Sequence, residues 1–288
     1  MNNTNYVNSA SSLKIRSFNV NSIGKNPKRG QIFHFLKNKE TDICILVDTR
    51  IDKSIENTVR SEWGGPAFFN SFDSQSRGVA ILIKKELPIT ITETHKDNDG
   101  NLLSIKIEYN SQSLLIVGIY GPNTDTPAFY ENKVFSLLDT VESDFTIFAG
   151  DWNLTVSQHL DNFNYLNVNN PRSKSTIIDK MNEENLCDIW RDLNPDSKRY
   201  SWFKKNPLKM ARLDFFLISN HLSPYITNSN IEPGIKSDHS IVFLEIDFNR
   251  VKLGKGFFKY NNSLLRDDIY IEIILKKIRE ITKQYSTI

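Results

Sequence analysis

Apolar runs recur along this chain at short intervals, and they come in two textures. They span Leu13 to Val20, Asp42 to Val47, Gly78 to Ile83, Ile89 to Thr92, Leu102 to Tyr109, Leu114 to Tyr120, Phe145 to Ala149, Arg199 to Phe203, Leu213 to Ile218 and Ile241 to Ile246. Several are nearly continuous, which suits strands buried on both faces of a layered structure. Others alternate, as in Ser104-Ile105-Lys106-Ile107-Glu108, and suit strands with one wet face. Between the runs the spacing changes to the helical period. Ile32, Phe33, Phe35 and Leu36 predict a helix within Pro27 to Lys39, and Ser173 to Leu186 reads as another. Thr126-Pro127 opens a helix carrying Phe129, Tyr130, Val134, Leu137 and Leu138, since proline is tolerated in a first helical turn. This mixture predicts an α/β (α+β) fold: a four-layered sandwich of two packed mixed β-sheets flanked by helices.

The ends read differently. Residues 1–12 are polar and lack the apolar core of a signal peptide, so a disordered lead-in is expected. The main domain is expected over 13–249. Val251-Lys252-Leu253-Gly254-Lys255-Gly256 is basic and glycine-containing, as a linker would be. Within 250–288 it leads to an amphipathic pattern of Ile271, Ile274, Leu275, Ile278 and Ile281. That apolar face either packs back on the domain or begins a further region.

Composition narrows the class. Hydrophobic residues make up 39% of the chain, enough for a packed core rather than disorder. The net charge is only +2, so any binding of nucleic acid must rest on local basic patches. No apolar run approaches the ~20 residues that span a membrane, so none is expected. Cys44 and Cys187 sit in apolar or helical patterns and read as small buried side chains in a reducing compartment.

Polar residues fall where the apolar runs end. Asn19, Asp48 and Tyr120 close three of them, Gly150-Asp151-Trp152-Asn153 follows a fourth, Asp214 opens a fifth and Ser237-Asp238-His239 precedes a sixth. Strand ends hold side chains rigidly while leaving their tips open to substrate. Asp, Asn and an Asp-His pair together suit metal-assisted attack on a phosphate ester. Oxygen donors with few sulfurs and imidazoles favour magnesium or manganese over zinc.

The ordered set Ser17-Phe18-Asn19-Val20-Asn21, Asp48-Thr49-Arg50, Ile119-Tyr120-Gly121-Pro122-Asn123, Gly150-Asp151-Trp152-Asn153, Arg212-Leu213-Asp214 and Ser237-Asp238-His239 resembles the endonuclease/exonuclease/phosphatase superfamily. Within it, the chain is most similar to the endonuclease domain of LINE-type (non-LTR) retrotransposons. The segment Gly256 to Leu265 looks like the stretch that leads, in such elements, toward a reverse transcriptase. The resemblance implies a magnesium-dependent or manganese-dependent nick in double-stranded DNA. The nick would leave a 3′-hydroxyl that primes reverse transcription. It implies roles as well. Asp48 would hold the cation with Asn19 nearby. Asp151 would activate water, and Asn153 would position the water and the phosphate. His239 would donate to a phosphate oxygen, and Tyr120 would bond the phosphate. Asp238 would fix the His239 tautomer, with Asp214 a candidate for pairing with the histidine or for leaving-group chemistry. The family usually has Glu at the position of Asp48. The shorter stem must be met by a closer strand end or an intervening water, or activity falls; retained activity is expected.

Contacts to DNA are expected from the loop Trp202 to Arg212, with Lys204, Lys205, Lys209 and Arg212 on phosphates. Lys25, Lys28 and Arg29 form a second basic cluster. Nuclear action is implied by the resemblance, although the chain carries no evident import signal. Competing readings are an abasic-site repair endonuclease, another phosphodiesterase of the superfamily, or a catalytically decayed DNA-binding module. A monomer is expected.

Overall fold

The computed structural model describes residues 12–250 and 268–285. The lead-in before Ser12 and the linker from Val251 to Gly256 lie outside the described residues. The chain divides into two compact units, Met1–Arg250 and Val251–Ile288. In the second unit, the amphipathic pattern after Phe257 forms a helix at Asp268–Tyr285. No described helix is long and apolar enough to cross a membrane.

The first unit is built on strands β1 (Leu13–Asn19), β2 (Ile43–Val47), β3 (Ala67–Asn70), β4 (Val79–Ile83), β5 (Thr90–Lys96), β6 (Leu102–Tyr109), β7 (Gln112–Tyr120) and β8 (Phe145–Asp151). It continues with β9 (Asn162–Phe163), β10 (Leu186–Asp188), β11 (Trp202–Lys204), β12 (Lys209–Ala211), β13 (Asp214–Ser219), β14 (Ile226–Glu232) and β15 (Ile241–Ile246). One six-stranded sheet runs β14-β15-β1-β2-β4-β3 and a second runs β10-β13-β8-β7-β6-β5. Each is mixed, with one parallel pair near its centre, β1 with β2 and β7 with β8. A three-stranded ribbon, β11-β12-β9, stands apart.

Burial explains the continuous apolar runs. In β2, Ile43, Ile45 and Val47 point into the core between the sheets, while Cys44 and Leu46 point to the outer layer. There they meet Ile32, Phe33 and Leu36 of α1 (Asn26–Asn38) and Val59 and Trp63 of α2 (Glu56–Trp63). The outer face of the second sheet, with Val117, Phe148 and Leu217, packs under Tyr130, Val134 and Phe135 of the helical stretch 127–140 and under Ile177 of the helix Pro171–Glu183. Each fully buried aliphatic or phenyl side chain contributes about 1.5–3 kcal/mol. Layers on both faces therefore stabilise the sheets far more than one would. Gly118 lies where they approach closely, for a Cβ there would meet Ile45 Cγ2 at 2.8 Å and Val79 Cγ1 at 2.9 Å. The four-layered sandwich expected from the sequence is the fold observed.

Candidate active site

Strand register gathers the polar residues on one rim. β7 and β8 run parallel with Tyr120 opposite Asp151, and β8 and β13 run antiparallel with Asp151 opposite Asp214. Tyr120, Asp151 and Asp214 therefore form a row across the second sheet. In the first sheet Asn19 pairs in register with Val47, which sets Asp48 beside the end of β1. His239 precedes β15 and is bridged to Trp202 at the start of the ribbon. A cleft of about 380 Å³ opens between the two rims. Asn19, Asp48, Tyr120, Asp151, Asn153, Asp238 and His239 all line it, and Asp214 lies buried beneath them.

The turn after β8 is fixed from below. Gly150 has φ of +151°, and a Cβ there would overlap the Ile119 carbonyl oxygen, so only glycine fits. Trp152 is fully buried, stacks on Phe215 at 5.0 Å and donates from Nε1 to the Phe215 carbonyl at 3.1 Å. Asp151 is thereby held with one oxygen accepting the Asn153 N–H at 2.9 Å and the other accepting Asn19 Nδ2 at 2.8 Å. Asn153 donates from Nδ2 to Gly121 O at 2.6 Å.

His239 Nδ1 lies 2.7 Å from Asp214 Oδ2, and its Nε2 lies 3.8 Å from Asp151 Oδ2. Burial alone would lower the histidine pKa. The charge and hydrogen bond of Asp214, with the charges of Asp151 and Asp238, outweigh it and raise the value to about 9. The Asp151 carboxyl is pushed above its usual range by burial and by the Asp214 charge, against the pull of His239 and the two hydrogen bonds. Burial and the charges of Asp48 and Asp151 raise the Tyr120 hydroxyl, which stays protonated as a donor.

Two expectations are corrected. Asp238 does not fix the histidine tautomer; Asp214 holds the ring nitrogen. Asp238 instead accepts Trp202 Nε1 at 3.0 Å and Asn21 Nδ2 at 3.1 Å, so it braces the cleft wall. Arg212 is no phosphate contact. It is 1% exposed and forks onto Asp161 and Asp188, with hydrogen bonds as short as 2.7 Å and 2.5 Å respectively. Arg29 is likewise buried against Glu62 at 2.6 Å. Lys204 and Lys205 are exposed, and neither pairs with a carboxylate among the described residues. Lys209 lies over the Tyr165 ring at 5.1 Å.

Sequence reasoning gave Ser201, Tyr165 and Asn169 no place in the site, and gave Ser237, Arg50 and Trp202 no role of their own there. Ser201 donates to Asp214 Oδ2 at 2.7 Å and accepts the Leu213 and Asp214 amides at 3.0 and 2.9 Å. Ser237 donates to the Asn19 carbonyl at 2.8 Å and so ties the Ser-Asp-His turn to β1. Arg50, Tyr165, Asn169 and Trp202 also line the cleft. A serine just before a strand gives no periodic signal, whereas its place in the Ser-Asp-His triplet marks Ser237.

Asp151, Asp214 and His239 come close enough together to share a metal ion. In this structure His239 Nδ1 is already held by Asp214, so the three form a hydrogen-bonded acid and base cluster. The wider donor set does fit a hard dication. Asp48, Asp151 and Asp238 line the cleft above the buried Asp214, against the cations Arg50, His239 and the nearby Lys28, and Asp214 Oδ1 is buried without a hydrogen-bond donor. Such a surplus of carboxylate and amide oxygens suits a hard divalent cation.

A four-layered sandwich with an Asp, Asn and His constellation across one rim defines the class of phosphoester-hydrolase folds. Residues 17–239 match the Endonuclease/Exonuclease/phosphatase family, and the chain belongs to it. It is 26% identical over 262 residues to a Xenopus laevis protein described as "Transposon TX1 uncharacterized 149 kDa protein". The match covers 89% of this chain but only 20% of that protein. An "Exodeoxyribonuclease" of Bacillus subtilis (strain 168) is 22% identical over 259 residues, covering 82% of this chain and 100% of the relative. Among solved structures, an AP endonuclease from Archaeoglobus fulgidus superposes with a TM-score of 0.66 at 21% identity, over 82% of this chain and 99% of that one.

Proposed function

We propose that this chain is the divalent-metal-dependent DNA endonuclease of a non-LTR retrotransposon, nicking double-stranded target DNA to leave a 3′-hydroxyl that primes reverse transcription. The observation that carries the hydrolytic reading is the convergence of Asp151 with the His239–Asp214 pair in one open cleft. The retrotransposon reading is supported by the similarity to the Xenopus transposon protein across most of this chain. A covalently linked reverse transcriptase and a nuclear site of action belong to the same proposal.

Asp48 and Asn19 would hold magnesium or manganese, which when bound supplies charge neutralisation at the phosphate. Asp151 takes a proton from water, and the water oxygen bonds to phosphorus. The bond from phosphorus to the 3′-oxygen breaks, its electron pair leaves with that oxygen, and a proton from solvent completes the 3′-hydroxyl. The 5′-phosphate remains on the other fragment. His239, protonated and oriented by Asp214, donates from Nε2 to a non-bridging oxygen. The Tyr120 hydroxyl and the Asn153 amide orient the phosphate, and Lys204, Lys205 and Lys209 contact the flanking backbone.

A second reading, cleavage at abasic sites, is favoured by the wall of Tyr165, Trp202 and Leu213 along the cleft, which suits a sugar without its base. A plasmid-nicking assay with magnesium tests the first reading. Open circles should form with wild type, and be lost with Asp151→Asn and with a chelator. The nicks should be extended directly by a polymerase. An abasic oligonucleotide cut far faster than an intact one would move the assignment to the second reading.

A further inference from the structure

Asp48 is 4% exposed, and both of its oxygens are engaged by one side chain. Arg50 donates from Nε to Oδ1 at 3.1 Å and from Nη2 to Oδ2 at 2.7 Å. This is a two-pronged grip, not a passing surface pair. The backbone enforces it. Asp48 and Arg50 have φ of +53° and +48°, a region that side chains other than glycine seldom adopt. The turn is clamped on both sides, by Ser22 N to Asp48 O at 2.8 Å, Ile23 N to Thr49 O at 2.8 Å, Thr49 N to Gly78 O at 3.1 Å and Arg50 N to Arg77 O at 2.8 Å. The guanidinium is therefore carried to the carboxylate by the main chain.

Arg50 also has somewhere else to go. Its side chain is 34% exposed and lines both the site cleft and an adjoining groove of about 860 Å³. Its Nη1 makes no hydrogen bond among the described residues. A second cation stands close, for the Lys28 pKa is lowered by burial and by the Arg50 charge, against the pull of Asp238 and Asp48. A guanidinium keeps its charge at any ordinary pH, so it cannot yield by losing a proton. It can only be displaced.

We infer that Arg50 is a resident counter-ion that competes with the divalent cation for Asp48 and so sets the metal concentration at which the site loads. The inference rests on the reading of Asp48 as a cation ligand given above. When Arg50 yields, it swings into the groove, where its fork suits a phosphate of the bound strand. The short stem of Asp48 fits this exchange, because it keeps the carboxylate within reach of the arginine two residues on.

The test measures manganese binding to the chelator-treated full-length chain by electron paramagnetic resonance of the free ion. Arg50→Ala should bind manganese about tenfold more tightly than wild type, the scale of a lost charged hydrogen bond. Arg50→Lys, which keeps the charge but loses the fork, should fall between them, and it carries the test if the alanine variant does not fold. Asp48→Ala should abolish the tight binding. Unchanged or weaker affinity in both arginine variants overturns the inference, and so does unchanged binding in Asp48→Ala. The plasmid assay separates the two readings. A shifted affinity without nicking by wild type removes the endonuclease and leaves the exchange. Nicking without any shift removes only the exchange.

Discussion

Asp214 Oδ2 stands 2.7 Å from His239 Nδ1, so the histidine is oriented by a residue of the neighbouring sheet and not by Asp238 beside it in sequence. The pair staples β13 of one sheet to the entry of β15 in the other. In metal-free protein the His239 ring should titrate near pH 9, against 6.5 for an unperturbed ring. With a folded pKa above the unfolded one, the pair's contribution to stability is fully present below pH 6.5 and lost as pH rises through about 9. Asp214→Asn removes the charge that opposes burial. Its ring should titrate lower, and its melting temperature should lose the wild-type decline across that window. Proton NMR of the ring and melts at stepped pH read both. An unchanged ring midpoint in Asp214→Asn would sink the assignment.

The nicking rate should follow the same groups. It should climb as Asp151 loses its proton, at a pH above the ordinary carboxylate range because burial and Asp214 hold that proton on. It should fall above about pH 9 as His239 loses the proton it donates. Replacement of Tyr120 by Phe should lower the rate without moving either limb, because its hydroxyl stays protonated throughout. A Tyr120→Phe profile with a displaced alkaline limb would assign that limb to the wrong residue.

The layered fold was legible because β2 and β4 carry unbroken apolar runs and β8 a nearly continuous one, and burial on both faces calls for that. The rim residues were legible as polar breaks at run ends. β14, Ile226–Glu232, was missed because Thr227, Asn228, Ser229 and Asn230 interrupt its apolar pattern, and other misses were short. β9 has two residues and β12 three, too few for any period to emerge, and α2 carries only Val59 and Trp63 as its buried face. The helix begun at Pro127 continues through a wider turn at Tyr130–Phe135. Arg212 looked like a phosphate contact because a loop arginine and a buried one are alike in sequence. Its partners Asp161 and Asp188 lie 51 and 24 residues away.

Trp152 gives a direct test of how the catalytic turn is supported. It is fully buried, stacked between Phe215 at 5.0 Å and Tyr130 at 6.1 Å, and hydrogen-bonded to Phe215 O. Trp152→Ala should cost about 3–5 kcal/mol in urea unfolding, as large-to-small changes of buried aromatics do. Trp152→Phe should recover much of this and restore nicking with it. A stable, active Trp152→Ala would mean that Asp151 is held by its strand alone.

Arg212 and the lysines of the ribbon should separate cleanly in two measurements. Arg212→Ala leaves Asp161 and Asp188 buried with their shared cation gone, which should cost about 3–5 kcal/mol. Arg191 still reaches Asp161 at 2.6 Å and softens the loss at that end only. Lys204→Ala and Lys205→Ala are exposed changes and should leave stability within about 0.5 kcal/mol. On DNA the order should reverse. Each lysine removed should lower the slope of log affinity against log salt by about 0.9 if it contacts one phosphate. Folded Arg212→Ala should keep the wild-type slope. Urea melts and salt titrations of binding to a duplex read the two axes. An Arg212→Ala variant that is stable but shows a reduced slope would return the arginine to the DNA interface.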